Sequence, residues 1–313
     1  MNILHSLAQG VSAQKFSTPA VESGDRSKEA SADKPKSDSS ITDTVSISQD
    51  AIRMAEKAAL SAKASYWLDF YPGREGFSTT NLAAAVVDPG AQPFSQNRSF
   101  AEVAQAARES MDSRYEAMRE SGKPFRWNSA EGEPRGTFGG LDINAVFGEL
   151  DRRALYAVAS NDGGLFTKKE QQAAAGIMSQ QQGNAMGFRS GPTSAAKNHV
   201  DPFMGNTEER FKAMNRFLDR VSIEERTTSI EWAQQRASGQ RNVENYARER
   251  GETPEPFSTE NMLLRIMLEA YDAQRARIEE NGPDGDFISS MMEGYEERIA
   301  QAIEENRNSL SVS

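Results

Sequence analysis

The chain has 313 residues, with 36 Lys and Arg against 46 Asp and Glu, so its formal net charge is −10. This acidic balance disfavours binding to the phosphate backbone of nucleic acids or to anionic membrane surfaces, and it favours a basic protein partner. The chain has no cysteine, which excludes disulfides, thiolate nucleophiles and cysteine-ligated zinc. No apolar run approaches the ~20 residues of a membrane span, so no membrane insertion is expected.

Residues 1–45 are predicted to form a disordered tail. Positions 14–44 consist mainly of Ser, Lys, Asp, Glu, Ala and Pro, with almost no large apolar side chains. Such a segment cannot bury enough apolar surface to offset the entropy lost on ordering. The first residues lack a basic residue ahead of their short apolar stretch, so they do not resemble a Sec signal peptide. We therefore expect a cytoplasmic protein, or one exported by another route.

From residue 46 onward the sequence predicts a mainly α protein with a multi-helix, bundle-like body. Apolar side chains recur at spacings of three and four, which gives one-sided helices that pack on one another. Sustained alternation typical of strands is missing. Glycine followed by proline indicates helix ends at Gly122, Gly251 and Gly282. Capping boxes, in which a Ser or Thr is followed three residues later by Glu or Gln, indicate helix starts at Ser46–Gln49, Ser99–Glu102, Thr167–Glu170 and Ser222–Glu225.

Several finer predictions concern single helices. Phe147, Leu150, Ala154 and Val158 are expected to lie on one face of one helix. Phe77-Ser78 and Phe257-Ser258 precede similar sequences. We interpret each as a hydrophobic staple, with the serine as N-cap and the phenylalanine contacting Leu82 or Met262. The alternative is an internal duplication with a shared binding role.

A Gly-, Asn- and Ser-rich segment near the middle of the chain predicts a division into two helical domains. The expected boundaries are a helical domain at 46–188, a linker at 189–206 and a C-terminal helical domain at 207–310.

Residues 159–170 resemble the calcium loop of an EF-hand. Counted with Glu170 at loop position 12, Asn161, Gly164, Phe166 and Thr167 fall at positions 3, 6, 8 and 9. However, Ala159 and Gly163 stand where the loop needs side-chain oxygens at positions 1 and 5. The favoured interpretation is a turn between two helices in which Thr167 and Glu170 cap the second. No metal or cofactor site is predicted.

No catalytic constellation emerges from the sequence. The histidines are His5, in the tail, and His199, which we interpret as a solvated loop residue without a nucleophile elbow nearby. Gly136 to Gly140 lack the lysine of a phosphate-binding loop, and Asp284-Gly285-Asp286 is interpreted as a turn with an N-cap. Adjacent acidic residues are expected to be first-turn charges or to face water, as at Glu208/Glu209, Glu224/Glu225, Glu279/Glu280, Glu296/Glu297 and Glu304/Glu305.

One aromatic group has two interpretations. Tyr66, Trp67, Phe70, Tyr71 and Phe77 could form a partner-binding patch. The favoured alternative is that they anchor the first helix to the core, because aromatic residues clustered at a helix end usually supply burial.

The segment Asp43-Thr44-Val45-Ser46-Ile47-Ser48, followed by a helix, resembles the linker of bacterial flagellar anti-sigma factors. In that family, a disordered N-terminus and a short linker precede helices that wrap a sigma factor. The resemblance implies a bacterial protein in a flagellar or secretion context. It covers this segment alone, and the rest of the chain is reminiscent of proteobacterial helical proteins that supply no function.

Two functional hypotheses follow. The first is a non-enzymatic interaction or regulatory protein that binds a protein partner through acidic helical surfaces and the N-terminal tail. The second is an effector or structural subunit exported by a type III or flagellar secretion system. A hydrolase with an acidic active site is a third alternative, which requires a cleft that gathers Glu or Asp around His199.

Overall fold

The structure is a computed structural model that describes residues 63–127, 140–282 and 291–312. Within these ranges the protein is mainly α and contains no strand, which confirms the predicted fold class. None of the helices in these ranges is both long and apolar enough to cross a membrane. The predicted tail at 1–45, the capping box at Ser46 and the turn at Asp284 lie outside the described residues.

Residues 63–67 are helical and continue into a 3₁₀ turn at Leu68–Phe70. The α-helices that follow are α1 (Thr80–Val87), α2 (Phe100–Glu120), α3 (Gly140–Phe147), α4 (Arg152–Ser160), α5 (Lys168–Ala185), α6 (Thr207–Leu218), α7 (Ile223–Thr228), α8 (Ile230–Glu249), α9 (Met262–Asn281) and α10 (Glu296–Val312). A second 3₁₀ helix, Thr193–Asn198, lies between α5 and α6.

Two of the predicted capping boxes form completely. At Ser99 and at Thr167, the side chain accepts a hydrogen bond from the backbone of the glutamate three residues later, and that glutamate accepts one in return from the N-cap backbone. At Ser222 only the first bond forms, because the carboxylate of Glu225 binds Arg152 instead. The predicted stops are confirmed, since Gly122, Gly251 and Gly282 follow α2, α8 and α9 with positive φ, a conformation that favours glycine.

The prediction of one helix through Phe147, Leu150, Ala154 and Val158 is wrong. The helix is interrupted between α3 and α4. Here Gly148 lies so close to the backbone of Ser78 that a Cβ on Gly148 would be 2.0 Å from the Ser78 carbonyl oxygen. Asp151 then starts α4 by accepting a hydrogen bond from the Ala154 backbone at 3.0 Å. All four apolar side chains are nevertheless fully buried, so the spacing indicated burial and not helix continuity.

The predicted serine N-caps at the two staples are also wrong. The N-cap of α1 is Thr79, which makes no side-chain capping bond. The N-cap of α9 is Asn261, whose side chain accepts from the Leu264 backbone at 2.9 Å and donates to the Arg226 carbonyl at 2.9 Å. The carboxamide makes both bonds with separate atoms, since its oxygen accepts and its nitrogen donates. This second bond ties the start of α9 to α7.

The buried apolar side chains fall into two clusters. The first is built mainly from α1 to α5 and includes Val103, Ala107, Met111 and Met118 on one face of α2. The second is built mainly from α6, α8, α9 and α10. Phe77 and Phe257 are partly buried against the first and the second cluster, respectively.

A buried polar junction connects the two clusters. It consists of Arg152 and Arg153 at the start of α4, and Glu224 and Glu225 in the first turn of α7. Arg152 binds both oxygens of Glu225, at 2.7 and 3.0 Å, and the two side chains are 3% and 4% exposed. Arg153 binds Glu224 at 2.6 Å. This pair of glutamates is therefore a pair of first-turn charges, which is one of the two predicted positions, but it does not face water, because both find guanidinium partners more than seventy residues earlier in the chain.

The predicted linker contains ordered structure that contacts both sides. Residues 193–198 form the second 3₁₀ helix, and Gln180 of α5 donates a hydrogen bond to the Ser190 carbonyl at 3.2 Å. The proposed domain boundaries at 188 and 207 remain predictions.

Candidate functional site

The EF-hand-like segment is a turn held by its own side chains. Asn161 adopts a left-handed conformation with φ +52° at the end of α4. Its side chain accepts from the Phe166 backbone nitrogen at 2.8 Å and donates to the Phe166 carbonyl at 3.2 Å. The oxygen at loop position 3 is therefore already engaged in closing the turn.

Glu170, which would be the bidentate calcium ligand, is surrounded by hydrogen-bond donors. One carboxylate oxygen accepts from Arg108 at 2.9 Å and from the Tyr115 hydroxyl at 3.0 Å. The other accepts from the Thr167 backbone at 2.8 Å and its hydroxyl at 2.9 Å. Across the described ranges, no group of His, Cys, Asp and Glu side chains is arranged to hold a metal ion. The geometry supports the capping interpretation of this loop.

The same contacts set the acidity of Glu170. Burial by itself would raise its pKa, but the hydrogen bonds from Thr167 and Arg108 outweigh burial and lower the pKa below the usual value of 4.5. A lowered folded-state pKa stabilises the fold above the unfolded-state pKa, and this stabilisation is lost as the pH falls toward the folded-state pKa.

We expect Glu170→Gln to lower the free energy of unfolding at pH 7 by about 1–3 kcal/mol, since buried donors lose their acceptor. As the pH falls below about 4.5 the difference between the wild type and the variant should shrink, because the unfolded wild type takes up a proton there while the folded carboxylate stays charged until its lowered pKa is reached. Urea unfolding measured from pH 7 to pH 3 checks both expectations. A difference that stays constant across this range would contradict the assigned role of the carboxylate.

His199 lies in the predicted linker and packs against the first cluster. We predicted a solvated side chain, but the ring is half-buried. It packs edge-on to the Phe70 ring, with 6.1 Å between ring centres, and its Nε2 lies 3.1 Å from the Gly187 carbonyl oxygen. The neighbouring Asp201 binds Arg210 at 2.6 Å. The ring thus joins the linker to the first cluster.

The aromatic group is divided between core and surface. Phe70 and Tyr71 are fully buried, which confirms the core interpretation for these two residues. Tyr66 is 38% exposed, donates to the Asn198 carbonyl at 2.8 Å and accepts from the Val200 backbone at 3.2 Å. The structure therefore brings the aromatic group and the predicted linker together.

The acidic doublets differ in their surroundings. Glu208 binds Lys212 at 3.0 Å and also Arg250, and Glu279 binds Arg275 at 2.9 Å. Glu297, Glu304 and Glu305 of α10 are exposed, and none of them forms an ion pair within the part of the chain that the structure describes. We call these three residues the acidic face.

Helix periodicity explains why the acidic face is separate from the core. With about 100° between successive residues, Glu297 and Glu304 project opposite to Ile299 and Ala302, which are buried in the second cluster. Glu305 lies beside them and accepts from Gln301 at 2.7 Å. The strip of α10 through Glu297 and Glu304 therefore carries no basic residue, and the half-exposed Arg298 and Arg307 flank it on either side.

The arginines of α10 do not neutralise the acidic face. Arg298 binds Glu269 of α9 at 2.8 Å, and Arg307 binds Asp162 at 2.8 Å. Sequence reasoning identified the doublets, and the spacing of Glu297 and Glu304 could have singled out this face.

Comparisons of the chain with family models, with curated proteins and with solved structures gave no match.

Proposed function

We propose that this protein is a non-enzymatic interaction protein that binds a basic surface of a protein partner through the acidic face of α10. The observation that carries the proposal is the group of exposed carboxylates at Glu297, Glu304 and Glu305, which lack ion-pair partners among the described residues. The net charge of −10 supports a basic partner.

A rigid helix face suits this role. Because Ile299 and Ala302 fix α10 to the second cluster, the carboxylates are held in position before a partner arrives. Less conformational entropy is then lost on binding than with a flexible acidic segment. Complementary charge also raises the association rate and disfavours acidic partners. We further propose that the segment preceding residue 63 is a second contact, in line with its resemblance at residues 43–48 to an anti-sigma linker.

The proposal is tested by affinity capture with the full chain as bait. The bait variant Glu297→Gln, Glu304→Gln, Glu305→Gln removes three charges from the acidic face. The matched control Glu75→Gln, Glu120→Gln, Glu255→Gln removes three exposed charges from elsewhere on the surface. We expect a partner that is retained by the wild type and the control, and whose affinity for the acidic-face variant is about tenfold lower.

Salt provides an independent measurement of the same interaction. The Debye length falls from about 8 Å at physiological ionic strength to about 3 Å at 1 M salt, so the captured partner should be released by added salt. Equal retention by the acidic-face variant and the control, or retention that is insensitive to salt, would contradict the proposal.

A further inference from the structure

A cavity of about 320 Å³ lies at the polar junction, between α4, α5, α7 and α8. We call it the junction cavity. One wall is the buried ion pair of Arg152 and Glu225, and another is the hydrogen bond of 2.7 Å between the hydroxyls of Tyr156 and Thr228. Its volume is at the lower end of the range of about 300–1,000 Å³ that small-molecule sites occupy.

The hydroxyls of this wall have defined roles. Thr228 donates its proton to the Glu224 carbonyl at 2.8 Å, so Tyr156 is the donor in the bond between the two hydroxyls. Burial raises the pKa of Tyr156, and the phenol stays protonated at physiological pH. The phenol of Tyr156 is therefore a hydrogen-bond donor to Thr228 at physiological pH.

Three polar side chains on the cavity lining have no side-chain hydrogen-bond partner among the described residues. The Ser160 hydroxyl oxygen is buried without a hydrogen bond. The carboxamides of Gln182 and Gln235 also line the cavity, and neither makes a side-chain hydrogen bond to another described residue. Gln182 is only 8% exposed. Because buried polar groups are nearly always paired, the Ser160 hydroxyl indicates a partner inside the cavity. The two carboxamides are open to bind a molecule in the same cavity.

The charged side chains around the cavity indicate whether a ligand should be charged or uncharged. Glu225 neutralises Arg152, and Asp162 neutralises Arg307 at the rim. Glu231 lies exposed on the lining and would repel an anion. The free groups are hydroxyl and carboxamide, which both donate and accept hydrogen bonds.

The apolar part of the lining adds a second requirement. Met178 and Trp232 lie on the cavity wall, and the small exposed parts of these residues, 9% and 4%, supply its carbon surface. The Trp232 indole nitrogen is already bound to the Leu218 carbonyl at 2.9 Å, so the ring has no polar group left to offer. A suitable ligand therefore combines hydroxyl groups with an apolar face.

We propose that the junction cavity is a binding site for an uncharged polyhydroxylated molecule of monosaccharide size. Its hydroxyl groups would pair with Ser160, Gln182 and Gln235, and its C–H face would lie against the apolar wall. The proposal is independent of the acidic face, since none of that face's residues lines the cavity.

The test is calorimetric titration of the full chain with D-glucose, D-galactose, D-mannose and myo-inositol as separate probes. At least one probe should bind saturably. Gln182→Leu should weaken that binding by about tenfold, since the ligand hydroxyl that it leaves unpaired is buried. Gln234→Leu is the matched control, because Gln234 is the neighbour of Gln235 on α8 and does not line the cavity.

Three outcomes would overturn the proposal. The first is no saturable binding of any of the four probes. The second is equal affinity of the wild type and Gln182→Leu, which would place the bound probe elsewhere. The third is tighter binding of glucose 6-phosphate or glucuronate than of glucose, which would contradict an uncharged ligand.

Discussion

Replacing Arg152 by methionine is expected to lower the free energy of unfolding by about 3–5 kcal/mol, as measured by urea denaturation at pH 7. The guanidinium makes all its bonds inside the protein, to Glu225, to the Met178 carbonyl at 3.0 Å and to Gln181 at 3.2 Å. Methionine fills part of the same volume but leaves the Glu225 carboxylate buried without a cation. The penalty arises mainly from that uncompensated charge and less from the lost attraction.

Two further variants distinguish this explanation from a general loss of packing. Arg152→Met combined with Glu225→Leu removes both charges and should recover much of the lost stability. Arg275→Met removes one partner of the exposed pair with Glu279 and should change stability by less than about 1 kcal/mol. If the double variant were no more stable than Arg152→Met, the buried charge would not be the cause.

Replacing Phe70 by alanine is expected to destabilise the fold by about 3–5 kcal/mol. The ring is fully buried and packs against Trp67 at 4.9 Å and His199 at 6.1 Å between ring centres. The backbone of Gly191 also lies close, since a Cβ there would be 3.1 Å from the Phe70 carbonyl oxygen. This crowded site cannot collapse easily around a smaller side chain, so a cavity should remain.

Leu68 provides the matched control within the same 3₁₀ turn. It is exposed, and Leu68→Ala should cost less than about 1 kcal/mol. Thermal unfolding followed by circular dichroism measures both variants. Similar losses for Phe70→Ala and Leu68→Ala would mean that the turn itself, and not the burial of Phe70, accounts for the effect.

Local features of the fold were predictable from the sequence. Two capping boxes, at Ser99 and Thr167, and the helix end at Gly122 were predicted. Each depends on residues only three or four positions apart, so each can be recognised within one short segment of the sequence. The burial of Phe147 and Val158 was predictable for the same reason, because periodicity reports which side chains face the core.

Features that depend on distant residues were not predictable. Gly148 interrupts a helix because the backbone of Ser78 is in close contact with it, and no pattern in the neighbouring sequence predicts that contact. The carboxylate of Glu225 does not complete its capping box, because it binds Arg152, which lies seventy-three residues earlier in the chain. The junction cavity combines side chains from α4, α5, α7 and α8, so it exists only after the chain has folded.

The acidic face was predictable in part. Doublets such as Glu224/Glu225 and Glu304/Glu305 look alike in sequence, yet the first is buried against arginines and the second is exposed. Whether such a doublet is buried or exposed depends on whether the fold places an arginine from a distant part of the chain next to it. Periodicity within α10 nevertheless places Glu297 and Glu304 on one side of the helix, away from Ile299.

The most direct test of the proposed function is zero-length crosslinking of the full chain to its captured partner. A carbodiimide joins a carboxylate to a lysine only when the two form a close ion pair, and mass spectrometry then identifies both residues. We expect crosslinks from Glu297, Glu304 or Glu305 to partner lysines, and we expect these crosslinks to disappear in the triple glutamine variant. Crosslinks that map only to other carboxylates, and that persist unchanged in that variant, would contradict binding through the acidic face.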